Sequence, residues 1–189
     1  MLFLIMKKVI LGATGSIGSS LAKKLVESGD QVHLVGREES NLSSLARELN
    51  SSFTTCDVLE ENFCEKITKD LKDEPIDGLA FCIGSIDLKP LKLTKKSDFM
   101  QSFNLNLVSA TEVIRSLADN LKKNKGSIVL FSTVAVKQGF PNHAIVSSAK
   151  GAIEGLTLAL AAELAPNVRV NCIAPSLTNS KMSNFLLKN

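Results

Sequence analysis

Short apolar runs alternate with helical patterns along the whole chain, and this alternation constrains the fold more than any other feature. The predicted strands are Val9–Leu11, Val32–Val35, Phe53–Cys56, Gly78–Cys82, Ser127–Phe131 and Val168–Ile173. The predicted helices are Ser16–Ser28, Leu42–Leu49, Glu60–Leu71, Lys96–Leu121 and His143–Leu164. Such alternation is typical of parallel sheets, whose strands are joined by right-handed helical crossovers. The sequence predicts an α/β fold with a doubly wound parallel sheet, strand order 3-2-1-4-5-6, in a three-layer α/β/α arrangement.

The length, composition and charge of the chain limit the kinds of protein it can be. A chain of 189 residues with 44% hydrophobic and 22% charged residues is typical of one globular domain, so residues 1–189 are predicted to form a single unit. The net charge of +3 is scattered over separate lysine pairs rather than collected in a basic stripe. We therefore expect no nucleic-acid partner. We also expect no membrane partner, because no stretch is judged long enough to span a bilayer.

The cysteines and the N-terminus bear on the compartment. Cys56, Cys64, Cys82 and Cys172 show no CxxC spacing and no paired histidine, so they are interpreted as small reduced core residues. The apolar start of the chain is too short for a signal peptide, and its charges follow the apolar run instead of preceding it. Both features predict a cytoplasmic protein.

A glycine-rich loop follows the first predicted strand and opens the first helix. Glycines there permit a tight turn and let the backbone approach a pyrophosphate, which the N–H groups at the helix start can bind. This context makes the motif far more specific than three glycines alone, and it predicts a Rossmann-type dinucleotide-binding domain. The predicted phosphate-loop residues are Gly12, Thr14, Gly15, Ser16, Ile17 and Gly18.

The end of the second strand predicts the choice of cofactor. A carboxylate at this point usually accepts hydrogen bonds from the ribose of NAD(H). Here the strand runs into Gly36 and Arg37, and a guanidinium favours the 2′-phosphate of NADP(H). NADP(H) is therefore predicted over NAD(H). The alternative is that Arg37 is only a solvated turn residue, and the neighbouring Glu38 and Glu39 fit that alternative.

The helix predicted at His143–Leu164 has apolar residues on more than one face. A helix that packs only on a sheet needs a single apolar stripe. The second face is therefore predicted to contact another subunit in a homodimer or homotetramer. The alternative is that neighbouring elements of the same chain bury it.

Together with the glycine-rich loop after the first strand, further segments resemble the short-chain dehydrogenase/reductase superfamily over essentially the whole chain. The glycine loop resembles the family motif, although Ser16 stands where the common form has glycine. Asp57 and Val58 resemble the pair that touches the adenine ring in the family. Gly84 matches the last residue of the Asn-Asn-Ala-Gly loop, whose two asparagines are absent here.

The resemblance extends to the proton relay and the nicotinamide site. Asn106 matches the helix asparagine of the relay, and Thr133 stands at the position of the catalytic serine. Lys150 matches the lysine of Tyr-x-x-x-Lys, which in the family also binds the nicotinamide ribose. Pro175 belongs to the segment beside the nicotinamide carboxamide, and Ser180 stands where a threonine usually contacts that group.

The tyrosine of the motif is absent. Val146 occupies its position, and the chain contains no tyrosine at all. In the family the tyrosine hydroxyl transfers the proton while hydride moves, and loss of one such group typically costs about 10²–10⁴-fold in rate. His143, one helical turn earlier, is a candidate replacement, because the pKa of an imidazole suits proton transfer near neutrality. The alternative is that His143 caps the helix or faces solvent.

Two functions follow from the resemblance. The first is an NADP(H)-dependent oxidoreductase that acts on a small carbonyl or alcohol substrate. The second is a catalytically inactive NADP(H)-binding sensor or partner subunit, which Val146 favours. The resemblance also implies a substrate-covering helical segment and a seventh strand, which the sequence up to Asn189 is expected to lack.

Overall fold

The structure is a computed structural model that describes residues 6–180 and 182–184. Six strands form one sheet in the order β3-β2-β1-β4-β5-β6, and every neighbouring pair is parallel. The doubly wound Rossmann-type prediction and its strand order are therefore confirmed. The strands are β1 (Lys7–Leu11), β2 (Gln31–Gly36), β3 (Ser52–Thr55), β4 (Ile76–Phe81), β5 (Ser127–Phe131) and β6 (Arg169–Ile173).

Seven helices connect the strands in the described part of the chain. They are α1 (Ser16–Glu27), α2 (Glu39–Glu48), α3 (Phe63–Leu71), α4 (Lys96–Phe103), α5 (Ser109–Lys123), α6 (Ala135–Gln138) and α7 (Ala144–Glu163). The helix predicted over Lys96–Leu121 is present, but a π-helical turn at Asn104–Val108, which was not predicted, divides it into α4 and α5. The short α6 and a 3₁₀ turn at Leu91–Leu93 were not predicted either.

Several helix and strand boundaries also differ from the predicted ones. Helix α3 begins at Phe63 rather than Glu60, because residues 57–62 form turns anchored by Asp57, whose side chain accepts a hydrogen bond from the Leu59 N–H at 3.0 Å. Strand β3 ends one residue before Cys56. The N-terminal apolar run and the predicted C-terminal limit of the domain fall partly on residues 1–5 and 185–189, outside the described residues.

Apolar side chains alternate between the two faces of the sheet and make two cores. Val9 and Leu11 of β1 belong to a large cluster with Phe63 of α3 and Val113 of α5. Ile10, between them, points to the smaller cluster built with α1 and α2. Because both faces of the sheet are covered at its centre, Val9, Ile10 and Leu11 of β1 are fully buried and apolar, as central strands of parallel sheets are.

Helix α7, with 20 residues, is long and apolar enough to cross a membrane by length and composition alone. The expectation that no stretch of the chain is long enough to span a bilayer is therefore wrong for this helix. These criteria alone are weak evidence, since the core helix of a globular domain satisfies them too. Here α7 packs against β5 and β6, and Ile145, Ala149 and Ile153 on that side are almost fully buried.

His33 lies at the centre of a buried hydrogen-bond chain that crosses β2 and β3. The Lys7 ammonium donates to Ser52 Oγ at 3.1 Å, and Ser52 lies 2.8 Å from His33 Nδ1. His33 Nε2 lies 2.9 Å from Thr54 Oγ1, which donates to Asp70 at 2.7 Å. Thr54 must therefore accept from Nε2–H, and Nδ1 accepts from Ser52. The chain of donors fixes a neutral imidazole, so His33 has a structural role between β2 and β3.

Acid should destabilise the fold through His33. Burial, and then the charge of Lys7, lower the pKa of His33 to about 4. The unfolded chain binds this proton below its ordinary pKa of about 6.5, so the free energy of unfolding falls as pH drops from there toward 4. We expect a loss of roughly 2 kcal/mol between about pH 7 and pH 5 from this residue. Urea unfolding of the wild type and of His33→Gln measures it as the difference between their pH dependences, and identical dependences contradict the prediction.

Candidate functional site

A cavity of about 880 Å³ opens at the carboxyl ends of β1, β4, β5 and β6. Ligands of open parallel sheets bind at this edge, where the crossovers leave toward opposite faces. The loops after these four strands all contribute to the wall. Among the predicted site residues, those that line the cavity are Thr14, Gly15, Ser16, Ile17, Gly84, Thr133, His143, Lys150, Pro175 and Ser180.

The glycine loop folds as the sequence predicts. Gly12 has a φ of +74°, a conformation that side chains disfavour, and its carbonyl oxygen accepts a hydrogen bond from the Gly15 N–H at 3.0 Å. Gly15 then caps α1, whose first residue is Ser16. A Cβ on Gly18 would collide with the Gly12 carbonyl, whose carbon would lie 2.9 Å away. The first turn of α1 thus packs directly on the loop and directs its free N–H groups toward the cavity.

Arg37, Asp57 and Val58 lie at the ends of β2 and β3 and do not line the cavity. The Arg37 guanidinium is 3.7 Å from the Asp57 carboxylate, and 71% of its side chain is exposed. Val58 is buried beneath this pair. A pair this open to solvent contributes little to stability, so Arg37 is available to an anion that approaches the strand ends. The predicted roles of all three residues stay predictions.

Lys150 and Asn106 converge beside Gly84, although they come from different elements. A Cβ on Gly84 would lie 3.1 Å from Lys150 Nζ and 3.3 Å from Asn106 Oδ1, so the glycine leaves space where these groups meet. Asn106 stands in the π-helical turn, fully buried, and its Nδ2 donates to the Ser102 carbonyl at 2.8 Å. Its Oδ1 has no hydrogen-bond partner within the described residues. A buried acceptor of this kind indicates a place for a donor.

Burial determines the charge state of Lys150. Only 8% of the residue is exposed, and desolvation lowers the pKa of its ammonium to about 8. Besides burial, only the Cys172 and Cys82 thiols act on the pKa of Lys150, and burial raises the pKa of both thiols. These thiols are therefore protonated near neutrality and give the ammonium no full counter-charge. Lys150 is poised between its charged and neutral forms in a way that an exposed lysine is not.

Thr133 and Val146 form the wall opposite the glycine loop. Thr133 follows β5, and its Oγ1 accepts from the Ala135 N–H at 3.3 Å, which starts α6. Val146 is 6% exposed and contributes an apolar surface where the resemblance expects a tyrosine. The structure therefore brings Asn106, Thr133 and Lys150 to one region around the cavity. The fourth relay position is Val146, whose side chain has no group that can transfer a proton.

His143 lies at the rim of the same cavity. It occupies the N-cap position of α7, but its side chain caps no backbone N–H. Its Nδ1 is 2.8 Å from the Pro141 carbonyl oxygen, and the ring packs against Phe140 with centroids 5.4 Å apart. A carbonyl can only accept, so Nδ1 carries the proton and Nε2 holds the free lone pair of the neutral ring. His143 can thus take a proton at Nε2, or give one when charged.

Sequence reasoning missed a pair that holds the end of β5. The buried Ser132 hydroxyl donates to the Glu154 carboxylate at 2.7 Å, and the Ser132 N–H donates to the Ile173 carbonyl at 2.8 Å. Glu154 follows Lys150 by four residues, as Lys150 follows Val146. That i, i+4 spacing was visible in the sequence and places all three side chains along one side of α7.

Metal chemistry has no obvious site in the part of the chain that the structure describes. Within residues 6–180 and 182–184, no group of three or more His, Cys, Asp or Glu side chains could hold a metal ion. The cavity instead has the parts of a dinucleotide site: a glycine loop at a helix start and a buried amine beside a glycine that leaves it room. These features define a nucleotide-binding oxidoreductase scaffold.

Comparisons with known proteins identify the family. Residues 12–189 match a family model described as enoyl-(acyl carrier protein) reductase. The chain is 31% identical over 180 residues to L-xylulose reductase from Bos taurus, covering 93% of this chain and 73% of that protein. It is 31% identical over 172 residues to L-fucose dehydrogenase from Oryctolagus cuniculus, covering 88% of this chain and 61% of that protein. The fold resembles a crystal structure of actinorhodin polyketide ketoreductase with NADPH, with a TM-score of 0.89 at 24% identity, covering 97% of this chain and 74% of that one.

The chain therefore belongs to the short-chain dehydrogenase/reductase family of NAD(P)-dependent oxidoreductases. The match spans nearly all of this chain, so the resemblance inferred from its motifs is confirmed. The individual site residues are not tested by these comparisons and stay predictions.

Proposed function

We propose that the chain is an NADP(H)-dependent oxidoreductase that acts on a small carbonyl or alcohol substrate in the cytoplasm. The observation that carries this proposal is the convergence of Lys150 and Asn106 beside Gly84, at a cavity that Thr133 also lines. Lys150 and Asn106 would hold the nucleotide in a sensor too, so the Thr133 hydroxyl is the group that favours an enzyme. The four described cysteines are free thiols, which supports a reducing compartment.

The residues at the carboxyl ends of the strands have the chemistry that a dinucleotide needs. The glycine loop and the start of α1 would hold the pyrophosphate, Asp57 and Val58 would border the adenine, and Pro175 and Ser180 would contact the carboxamide. The uncompensated Lys150 ammonium and the unpartnered Asn106 Oδ1 are the groups that a ribose hydroxyl can satisfy. The bound cofactor supplies or accepts hydride.

Arg37 supports the preference for NADP(H). Its guanidinium stands at the end of β2, exposed and only loosely paired with Asp57. A 2′-phosphate would gain a charge-assisted hydrogen bond there, whereas an unmodified ribose finds no acidic side chain at the strand end.

The chain's own residues would orient the substrate and move the proton. Thr133 Oγ1 can donate to a carbonyl oxygen, as the serine does in the family. Because Val146 has no proton to give, the donor is His143 through Nε2, or a water molecule held by Lys150 and Asn106. In the reverse direction the same groups accept the alcohol proton, so the step needs no further residue.

Assembly through α7 completes the proposal. The outward side of this helix exposes Leu158 at 75%, together with Gly155, Ala159 and Ala162. Small residues around one large apolar side chain allow a second helix to approach closely. We therefore place the contact of a homodimer or homotetramer on this face.

The test is NADPH consumption, followed by absorbance, against a panel of aldehydes, ketones and enones. We expect turnover with NADPH at a lower KM than with NADH. Replacing Arg37 with leucine should raise the KM for NADPH about tenfold, because a charge-assisted hydrogen bond is lost, and should leave that for NADH unchanged. Arg47→Leu, which removes an exposed arginine of α2, controls for net charge. Equal effects of the two variants would contradict the role of Arg37.

A further inference from the structure

The Lys150 amine faces the cavity without a protein group to pair with it. Within residues 6–180 and 182–184, no carboxylate forms a salt bridge with it and no side chain accepts a hydrogen bond from it. One turn earlier on the same side of α7 stands Val146, which offers only methyl groups. The amine therefore reaches the cavity unblocked, although its stem is almost completely buried.

Burial also leaves much of this amine uncharged. With its pKa lowered to about 8, roughly 10% of Lys150 is neutral at about pH 7. That fraction is about 300-fold larger than for a lysine with the ordinary value of 10.5. A neutral lysine amine is the nucleophile that attacks carbonyl carbons, and desolvation in an apolar pocket is one way to produce it.

Asn106 supplies the second requirement, an acceptor beside the amine. Its Oδ1 is fully buried and has no partner within the described residues, and both it and Lys150 Nζ lie within 3.3 Å of the Cβ position on Gly84, although no hydrogen bond joins them. An N–H that becomes more acidic as a bond forms at nitrogen can donate to this oxygen. The acceptor therefore favours the charged intermediates of an addition reaction over the free amine.

The cavity wall indicates the chemical class of the reactant. Most of the surface of the whole cavity is apolar, and no acidic side chain among the described residues lines it. An uncharged molecule with an apolar tail fits this surface best, and an aldehyde carbon is the carbonyl least hindered toward a buried amine. The apolar residues concerned are Ile83, Ile86, Val134, Phe140, Val146, Leu177 and Met182.

We propose that Lys150 is a carbonyl-reactive site that captures apolar aldehydes as a reversible imine. The Lys150 nitrogen adds to the aldehyde carbon, and the carbonyl oxygen takes up a proton to give a carbinolamine. The nitrogen loses its remaining proton, the C–O bond breaks, and water leaves, so a C=N bond replaces C=O without oxidation or reduction. This reaction needs no nicotinamide nucleotide, and it does not rest on the proposed hydride transfer.

Reductive trapping tests this site. The full chain, without nucleotide, is incubated near neutral pH with hexanal and sodium cyanoborohydride, which converts an imine to a stable secondary amine. Peptide mapping by mass spectrometry then measures hexyl incorporation at each lysine and, separately, at the reactive α-amino group. We expect incorporation at Lys150 to exceed that at Lys137, an exposed lysine of the neighbouring α6, by at least about tenfold at low conversion.

Two variants provide matched controls. Lys150→Arg should remove the preferred adduct, whereas Lys137→Arg should leave it in place. Because the map of the wild type compares lysines within one molecule, the result stands even if Lys150→Arg fails to fold. Equal incorporation at Lys150 and Lys137 in the wild type, or incorporation at Lys137 alone, would overturn the proposal.

Discussion

A Val146→Tyr variant is expected to reduce carbonyl substrates at least about 10²-fold faster than the wild type, with NADPH as the reductant. The new hydroxyl would lie on α7 one turn before Lys150, and Thr133 stands on the same wall of the cavity. The Lys150 ammonium would favour the ionised form of the phenol and so ease proton transfer. The 880 Å³ cavity leaves room for the ring, because Val146 already lines it. Steady-state kcat on the most reactive carbonyl of the panel measures the gain.

Val146→Phe is the matched control, since it adds the same ring without the hydroxyl. We expect kcat for this variant to stay at or below that of the wild type. Equal rates for the tyrosine and phenylalanine variants would show that a proton donor at this position is not limiting. Turnover only in the tyrosine variant, with NADPH bound by the wild type, would instead favour the inactive binding protein as the natural function.

Gly18→Ala is expected to weaken NADPH binding by at least about 100-fold while the fold persists. The added methyl group would meet the Gly12 carbonyl group, whose carbon it would approach to 2.9 Å, and Ala13 Cα at 3.0 Å. Both contacts are with backbone, so no side chain can rotate away. The loop has to move off the start of α1, and the N–H groups that bind the pyrophosphate then lose their alignment. Fluorescence titration with NADPH measures the affinity.

The control for this substitution is Gly155→Ala, the same change at a helical glycine with nothing within 4 Å of the new Cβ. It should leave NADPH affinity unchanged and stabilise α7 slightly, because alanine is the better helix former. Circular dichroism of Gly18→Ala should retain the wild-type helix content. Unaltered NADPH affinity in a folded Gly18→Ala protein would remove the glycine loop from the binding site.

The sheet was predictable because its signal is repeated. Each buried strand is a short apolar run, and each crossover is an amphipathic helix, so an error at one boundary leaves the order of the others intact. The π-helical turn was not predictable in the same way. Leu105, Leu107 and Val108 continue the apolar pattern of the flanking helices, and one additional residue in a turn shifts that pattern too little to be noticed. Packing of the turn against α7 brings Asn106 into its buried position.

The candidate site was likewise predictable only in part. Gly12 follows from its place after β1 at the start of a helix, and Lys150, four residues beyond Val146, follows from the resemblance to the family motif. The contact of Ser132 with Glu154 joins residues 22 positions apart, so it emerges only when β5 and α7 are packed together. The free acceptor on Asn106 and the Nδ1–H of His143 likewise depend on distances to backbone oxygens that no sequence pattern specifies.

Helix α7 acts as a common frame for one side of the cavity. Val146 and Lys150 project from it directly, and Glu154 ties it to Ser132, the residue before Thr133. A small displacement of this helix would therefore carry these groups as a rigid body and preserve their mutual spacing. Asn106 and Gly84 belong to other elements, so the same displacement would change the separation between the Lys150 amine and the Asn106 oxygen. The distance between these two groups is therefore adjustable, whereas the spacing along α7 is fixed.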